Sequence, residues 1–153
     1  MKSIYLAGPL FSVWERSANL QVADGLERAG YNILLPQDIE APKTPKGLDM
    51  SFVFRECVRL LDESDAVVAM VDGSDVDSGT AWELGYAYAK GIPSMCVRSD
   101  MRQAEAGESV NIMIGHGAER IVDCSSYRGT VAEAVGHIIV ELGEMLDGKT
   151  AEG

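Results

Sequence analysis

The residues with the clearest chemical potential lie in one stretch, Asp72-Gly73-Ser74-Asp75-Val76-Asp77-Ser78-Gly79-Thr80-Ala81-Trp82-Glu83-Leu84-Gly85-Tyr86-Ala87. Gly79 allows a tight turn into a helix over Thr80 to Lys90, and Glu83 falls in its first turn or just beyond. The free N–H groups and dipole at a helix start favour an ionised carboxylate there. Such a carboxylate at a ligand-binding edge can be a nucleophile or a base. Asp77 precedes it on the loop and can face the same pocket. Two carboxylates, one on a helix and one on a loop, are what glycosyl transfer needs: one attacks or stabilises the anomeric carbon, the other handles the leaving group's proton. Spacing alone leaves a second reading open, in which Asp77 or Ser78 caps the helix and Glu83 is a surface residue suited to the dipole. A calcium loop built on Asp72, Asp75 and Asp77 fails, because the Gly and Glu it requires are out of place. Tyr5 can reach the same edge, where its hydroxyl would orient a carboxylate; it can also be a half-buried strand tyrosine.

These residues need elements to hold them, and strands alternate with helices along the chain. Ser3 to Ala7 reads as a strand ended by Gly8-Pro9. Glu15 to Ala29 reads as a helix with Leu20, Ala23 and Leu26 inward and Gly30 past its end. Tyr31 to Leu35 is a second strand, and residues 36–48, with Pro36, Pro42 and Pro45, read as a loop. Asp49 caps a helix over about 50–63 with Val53, Cys57, Leu60 and Leu61 inward. Ala66 to Val71 is an unbroken apolar strand of the kind that parallel sheets bury on both faces. After Lys90, Gly91 closes the helix and Pro93 to Val97 forms a fourth strand. A polar loop over 99–110, a helical turn over Asn111 to Gly115, and a fifth strand over Arg120 to Val122 follow. Thr130 to Leu146 is a helix with Val131, Ala134, Ile138, Leu142 and Met145 on one side. The expected architecture is a single α/β domain over 1–147, a doubly wound, flavodoxin- or Rossmann-like sheet of about five parallel strands with helices on both faces, then a disordered tail over 148–153. Ligands bind such sheets at the carboxyl edge. Gly8 and Phe11 after strand 1, and Asp72 and Gly79 after strand 3, lie at that edge and are substrate-binding candidates.

The chain has 153 residues, 46% of them hydrophobic and 24% charged, which suits one globular domain with its own core. Its net charge of −11 argues against binding nucleic acid or an anionic membrane surface. Three widely spaced cysteines, Cys57, Cys96 and Cys124, form no disulfide framework, which suits a reducing, cytoplasmic setting. With only His116 and His137 to add, a zinc site has little to draw on. Lys2 and the apolar residues after it mimic a signal peptide, but Gly8-Pro9 breaks the run and Glu15-Arg16 follows. No apolar run approaches the length of a membrane span. Neither GxGxxG nor GxxxxGK[ST] is present, so a dinucleotide cofactor is not expected.

The motifs resemble the nucleoside 2-deoxyribosyltransferase family over about residues 3–123. Ile4-Tyr5-Leu6-Ala7-Gly8-Pro9 resembles its first strand and loop, and Ser64-Asp65-Ala66-Val67-Val68-Ala69 the start of its third strand. The stretch from Asp77 to Ala87 is the specific part. Val110-Asn111-Ile112-Met113-Ile114 resembles a segment that a neighbouring subunit places over the active site. The resemblance implies that Glu83 attacks C1′ of a deoxyribose, that Tyr5 holds that carboxylate, and that Asp77 lies near sugar and base. It further implies that Asn111 reaches a neighbour's sugar at its 5′ side with Met113 packed beside it, and that no metal or organic cofactor takes part. One position departs: where the family usually carries an aspartate on the helix before strand 3, this chain has Cys57, a weak hydrogen-bond partner.

The expected activity is cleavage of the N-glycosidic bond of 2′-deoxynucleosides through a glutamyl-deoxyribose intermediate, with transfer to another nucleobase or water, by a homo-oligomer built from dimers. A relative with the same Tyr, Asp and Glu acts as a deoxynucleoside 5′-monophosphate N-hydrolase. For that alternative Arg16 could serve the phosphate, whereas Asn111 favours a free 5′-hydroxyl. Cytokinin-type phosphoribohydrolases share GTxxE, but their preceding double glycine is missing here. A non-catalytic nucleotide-binding module is the alternative outside the enzymes.

Overall fold

Short apolar strands, each followed by a helix that returns the chain over the sheet, leave one compact solution: parallel strands joined by right-handed crossovers. The computed structural model describes residues 1–102, 107–126 and 128–148. Its elements are β1 (Ser3–Ala7), α1 (Val13–Arg28), β2 (Asn32–Leu34), a 3₁₀ turn (Pro36–Asp38), β3 (Lys43–Thr44), β4 (Gly47–Leu48), α2 (Met50–Asp62), β5 (Ala66–Met70), α3 (Ser78–Lys90), β6 (Ser94–Arg98), α4 (Ile112–Gly117), β7 (Arg120–Asp123) and α5 (Val131–Gly148). Five strands form the main sheet in the order β2-β1-β5-β6-β7, every neighbouring pair parallel. This is the flavodoxin-like order, and its switch point lies between β1 and β5.

Alternation along the strands divides the core. Ile4, Leu6, Val68, Met95 and Val97 pack with Val22, Leu26, Ile138 and Leu142 of α1 and α5. Tyr5, Ala7, Val67, Ala69 and Cys96 face the other way, among Leu61 of α2 and Leu84 and Ala87 of α3. The register Tyr5↔Val67 therefore turns Tyr5 toward α2 and α3, and a slip of one residue would turn it away.

Local chemistry sets the ends of the helices. The Ser12 hydroxyl accepts from the Glu15 amide at 3.2 Å while the Glu15 carboxylate accepts from the Ser12 amide at 2.6 Å. This capping box starts α1 at Val13, ahead of the expected Glu15. Asp49 accepts from the Phe52 amide and starts α2, as expected. Gly91 closes α3 at φ +70°, a left-handed conformation that favours glycine.

Several expectations change. Leu20 is half exposed, whereas Ala23 and Leu26 lie inward as expected and Asn19 and Val22 join them on the inner face of α1. On α5 Val131 is exposed and the first buried residue is Val135, one turn further on. Residues 36–48 are more than a loop: a 3₁₀ turn and the β3–β4 hairpin occupy them, closed by the Thr44 hydroxyl donating to the Gly47 carbonyl. Helix α5 includes Gly148, and the rest of the expected tail lies outside the described residues. The expected loop over 99–110 is likewise described only outside 103–106. No described helix is long and apolar enough to cross a membrane.

Candidate active site

A cleft of about 530 Å³ opens at the carboxyl edge of the sheet, between the loops after β1, β2 and β5 and the first half of α2. Helix α3 brings Glu83 to line it, and strand β1 brings Tyr5, fully buried, against Glu83 from behind the lining. The Tyr5 hydroxyl donates to Glu83 Oε1 at 2.6 Å. Burial pushes the Glu83 carboxyl up from its ordinary value to about 7, the Asp77 charge adds to the rise, and the Tyr5 hydrogen bond opposes it. The dipole was expected to keep Glu83 ionised. It does not prevail because Glu83 lies beyond the first turn, where the dipole's influence has faded, and inside a desolvated cleft. Burial likewise raises the Tyr5 hydroxyl far above the ordinary tyrosine range, and the neighbouring Glu83 reinforces this. Tyr5 is therefore a donor that keeps its proton.

Asp77 combines both roles that its position suggested. It caps α3, accepting from the Thr80 amide at 3.0 Å and the Thr80 hydroxyl at 3.3 Å through one carboxylate oxygen, and it also lines the cleft. Gly79 lies beside it, where an added Cβ would sit 3.0 Å from Asp77 Oδ2. Gly8 and Phe11 line the opposite side. A Cβ on Gly8 would meet Met70 at 3.2 Å and the Asn19 amide oxygen at 3.3 Å, so any side chain there obliges these neighbours to shift by a few tenths of an ångström. Cys57 is no plain core residue: it is half-buried, lines the cleft, and neighbours both Tyr5 and Glu83. Burial pushes its thiol up, opposed by the Tyr5 hydroxyl. Glu56, one position earlier, points away from the cleft and pairs with Arg59 at 2.9 Å.

Three candidates lie outside the cleft of their own chain. Asp72 accepts from the Ser99 and Asp100 amides at 2.6 and 2.9 Å and from the Ser99 hydroxyl. It clasps the ends of β5 and β6 together, which corrects its expected place in the pocket. Asn111 caps α4, accepting from the Met113 amide at 2.9 Å. Met113 is 78% exposed beside a separate apolar groove of about 350 Å³ with Leu84, Tyr88 and Ile112.

A profile for the nucleoside 2-deoxyribosyltransferases matches residues 4–137. The chain belongs to that family. A curated relative from Thermofilum pendens, provisionally named 2′-deoxynucleoside 5′-phosphate N-hydrolase 1, is 29% identical over 95% of both chains. A 2-deoxyribosyltransferase from Bacillus psychrosaccharolyticus is 28% identical over 78% of this chain and 84% of its own, with a TM-score of 0.66. A conserved protein from Enterococcus faecalis superposes with a TM-score of 0.72 at 25% identity, over 92% of this chain and 99% of its own.

In this family member the far wall of the cleft comes from residues that sequence reasoning passed over: Ile39, Ala41, Leu48, Met50 and Val53. Three prolines disguised the first of them as plain loop. The apolar residues within that loop were the signal that could have found them. Arg98 was missed as well. It is 2% exposed at the end of β6 and donates to the carbonyls of Val71, Gly73, Asp100 and Arg102. It thereby braces the loop that leads to Asp77. Among the described residues, no cluster of His, Cys, Asp and Glu is suited to hold a metal.

Proposed function

We propose that this family member cleaves the N-glycosidic bond of 2′-deoxynucleosides and passes the deoxyribosyl group to a second nucleobase or to water. The observation that carries this is the 2.6 Å hydrogen bond from buried Tyr5 to Glu83 at the floor of the cleft. It holds one carboxylate oxygen and leaves the other to attack C1′. The C1′–O bond forms as the C1′–N bond breaks, and the departing base takes the electron pair. In the second step the acceptor attacks C1′ and Glu83 leaves as a carboxylate, its returning charge met by the Tyr5 hydroxyl. Asp77 lies in reach of the sugar or the base.

The test is incubation with deoxyinosine plus adenine, with mass spectrometry of a slowly resolved intermediate. Base exchange and a deoxyribosyl adduct on Glu83 are expected. An adduct on Cys57 overturns the assignment, and saturable binding without turnover favours a binding module.

A second reading, N-hydrolysis of a deoxynucleoside 5′-monophosphate, is favoured by Arg16. It lines the same cleft with its guanidinium held by the Leu10 carbonyl at 2.9 Å, and the Thermofilum relative carries that name. Release of free base from the monophosphate alone, with no exchange, selects this reading.

Self-association is part of the proposal. Ile112 and Met113 are exposed around an apolar groove, and Asn111 stands beside them, outside its own chain's cleft. A neighbouring copy seated there would bring Asn111 to the partner's sugar site.

A further inference from the structure

Arg98 ends β6, a strand otherwise filled at its centre by buried Met95, Cys96 and Val97, and it is itself buried. Its guanidinium donates to main-chain carbonyls of two loops. Nη1 reaches Val71 at 2.6 Å and Gly73 at 2.8 Å, Nε reaches Asp100 at 3.1 Å, and Nη2 reaches Arg102 at 2.6 Å. The tie runs in the other direction as well. Asp72, between the two carbonyls that Nη1 holds, accepts from the Ser99 and Asp100 amides at 2.6 and 2.9 Å, and Asp100 accepts from the Gly73 amide at 3.2 Å. Burying a guanidinium carries a desolvation cost that an apolar side chain at this place avoids. What arginine supplies in exchange is a planar fork that fixes several acceptors in one geometry.

The loop held in this way leads straight to the cleft. The chain turns at Gly73, where φ is +109°, Val76 is buried against the sheet, and Asp77 follows as the cap of α3. Asp77 gives one carboxylate oxygen to the Thr80 amide and hydroxyl. Among the described residues its other oxygen has no partner, and the side chain lines the cleft. Resting on the glycosyl-transfer reading of this cleft, we propose that Arg98 is a positioning residue of the reaction: by holding the carbonyls of Val71 and Gly73 it fixes the path of the β5–α3 loop, and with it the place of the Asp77 carboxylate relative to Glu83 and the sugar. Arg98 lines no part of the cleft and acts only through this loop.

The protonation of Glu83 reports where Asp77 stands, because the Asp77 charge is one of the influences that raise it. The other groups facing that carboxyl are the Tyr5 hydroxyl on β1 and the Cys57 thiol on α2. The Glu83 midpoint is followed by carbon-13 NMR of glutamate-labelled protein, assigned with Glu83→Gln, which needs no turnover. Kinetics with deoxynucleosides and their 5′-monophosphates run beside it. Arg98→Met is expected to lower the midpoint, as Asp77→Asn does. Loss of the arginine's positive charge by itself moves a carboxyl the other way. The same variant is expected to lower kcat on the order of tenfold to a hundredfold, with KM changed less than about threefold. In the double variant, Arg98→Met adds no further midpoint shift to that of Asp77→Asn, whereas a cleft merely loosened to solvent gives shifts that add. A folded Arg98→Met protein with the wild-type midpoint or the wild-type kcat overturns the proposal, and so do additive shifts. A wild type that turns over neither substrate form removes the glycosyl-transfer reading and the catalytic role with it, and the midpoints then still decide whether Arg98 holds Asp77. If Arg98→Met does not fold, Arg98→Lys, which keeps the charge and loses the fork, replaces it in each comparison. If neither folds, Arg98 serves folding alone and the proposal falls.

Discussion

At the scale of single residues, opposing influences meet on one carboxyl. Burial and the Asp77 charge push Glu83 up, and the Tyr5 hydrogen bond pulls it down, to about 7. Attack on carbon needs the ionised form, so kcat/KM is expected to rise with pH through about 7. Tyr5→Phe removes the interaction that favours the carboxylate and moves this acid limb up. Asp77→Asn keeps an N-cap of similar quality while removing the charge, and moves it down. A limb that stays in place in both variants assigns it to another group. The same shift has a consequence for stability. Because the folded carboxyl binds its proton more tightly than the unfolded one, the stabilisation it contributes is complete below about 4.5 and is lost as pH rises through about 7. Glu83→Gln escapes that loss. Its unfolding free energy is expected to exceed the wild type's by on the order of 2–3 kcal/mol at pH 8, with the gap closing toward pH 4. Urea midpoints of both proteins across this range check the sign.

At the scale of elements, α1 and α5 cover one face of the sheet and meet at a glycine. A Cβ on Gly25 would lie 2.3 Å from Val135 Cγ1, closer than packed atoms tolerate. Alanine is the better helix former by roughly 1 kcal/mol, so propensity alone predicts that Gly25→Ala stabilises. The contact predicts the reverse, a net loss of about 1–3 kcal/mol, since β-branched Val135 is buried and cannot swing aside. Val135→Ala should return part of that loss in the double variant, a coupling that a double-mutant cycle measures. Additive losses would mean that the helices do not meet there. On the opposite face, α2 and α3 present Cys57 and Glu83 to Tyr5. Capping at Asp49 and Asp77 sets where each of these helices starts, and so which of their side chains reach the cleft.

At the scale of the whole molecule, net charge and apolar surface oppose each other. Two copies, each at −11, repel, while Ile112, Met113 and Tyr88 leave apolar area uncovered around the groove. Association should therefore tighten with added salt, which screens the repulsion and leaves the apolar contribution in place. Light scattering is expected to show a dimer or a multiple of it at moderate salt, and Met113→Glu to shift it toward monomer with a parallel loss of activity. A fully active monomer in dilute solution would refute the shared site.

The sequence by itself determined the parallel α/β architecture, the order of the five main strands and the helices between them, the start of α2 and the C-terminal end of α3. Those depend on local rules: apolar runs for buried strands, Asp at helix starts, Gly at a left-handed end. It also pointed to Tyr5, Asp77 and Glu83 as residues of one edge. Only the tertiary structure decided what surrounds them, because burial is a property of packing between distant segments. It turned Glu83 from a dipole-favoured anion into a group poised near 7, and decided for Cys57, an inward helix residue also counted as a substrate-binding candidate, a place in the cleft lining. It moved Asp72 out of the pocket onto the Ser99–Asp100 turn. It placed Leu48 and Met50, from a segment read partly as loop, on the wall facing the site. Each of these changes follows from contacts between segments tens of residues apart, which spacing along the chain does not encode.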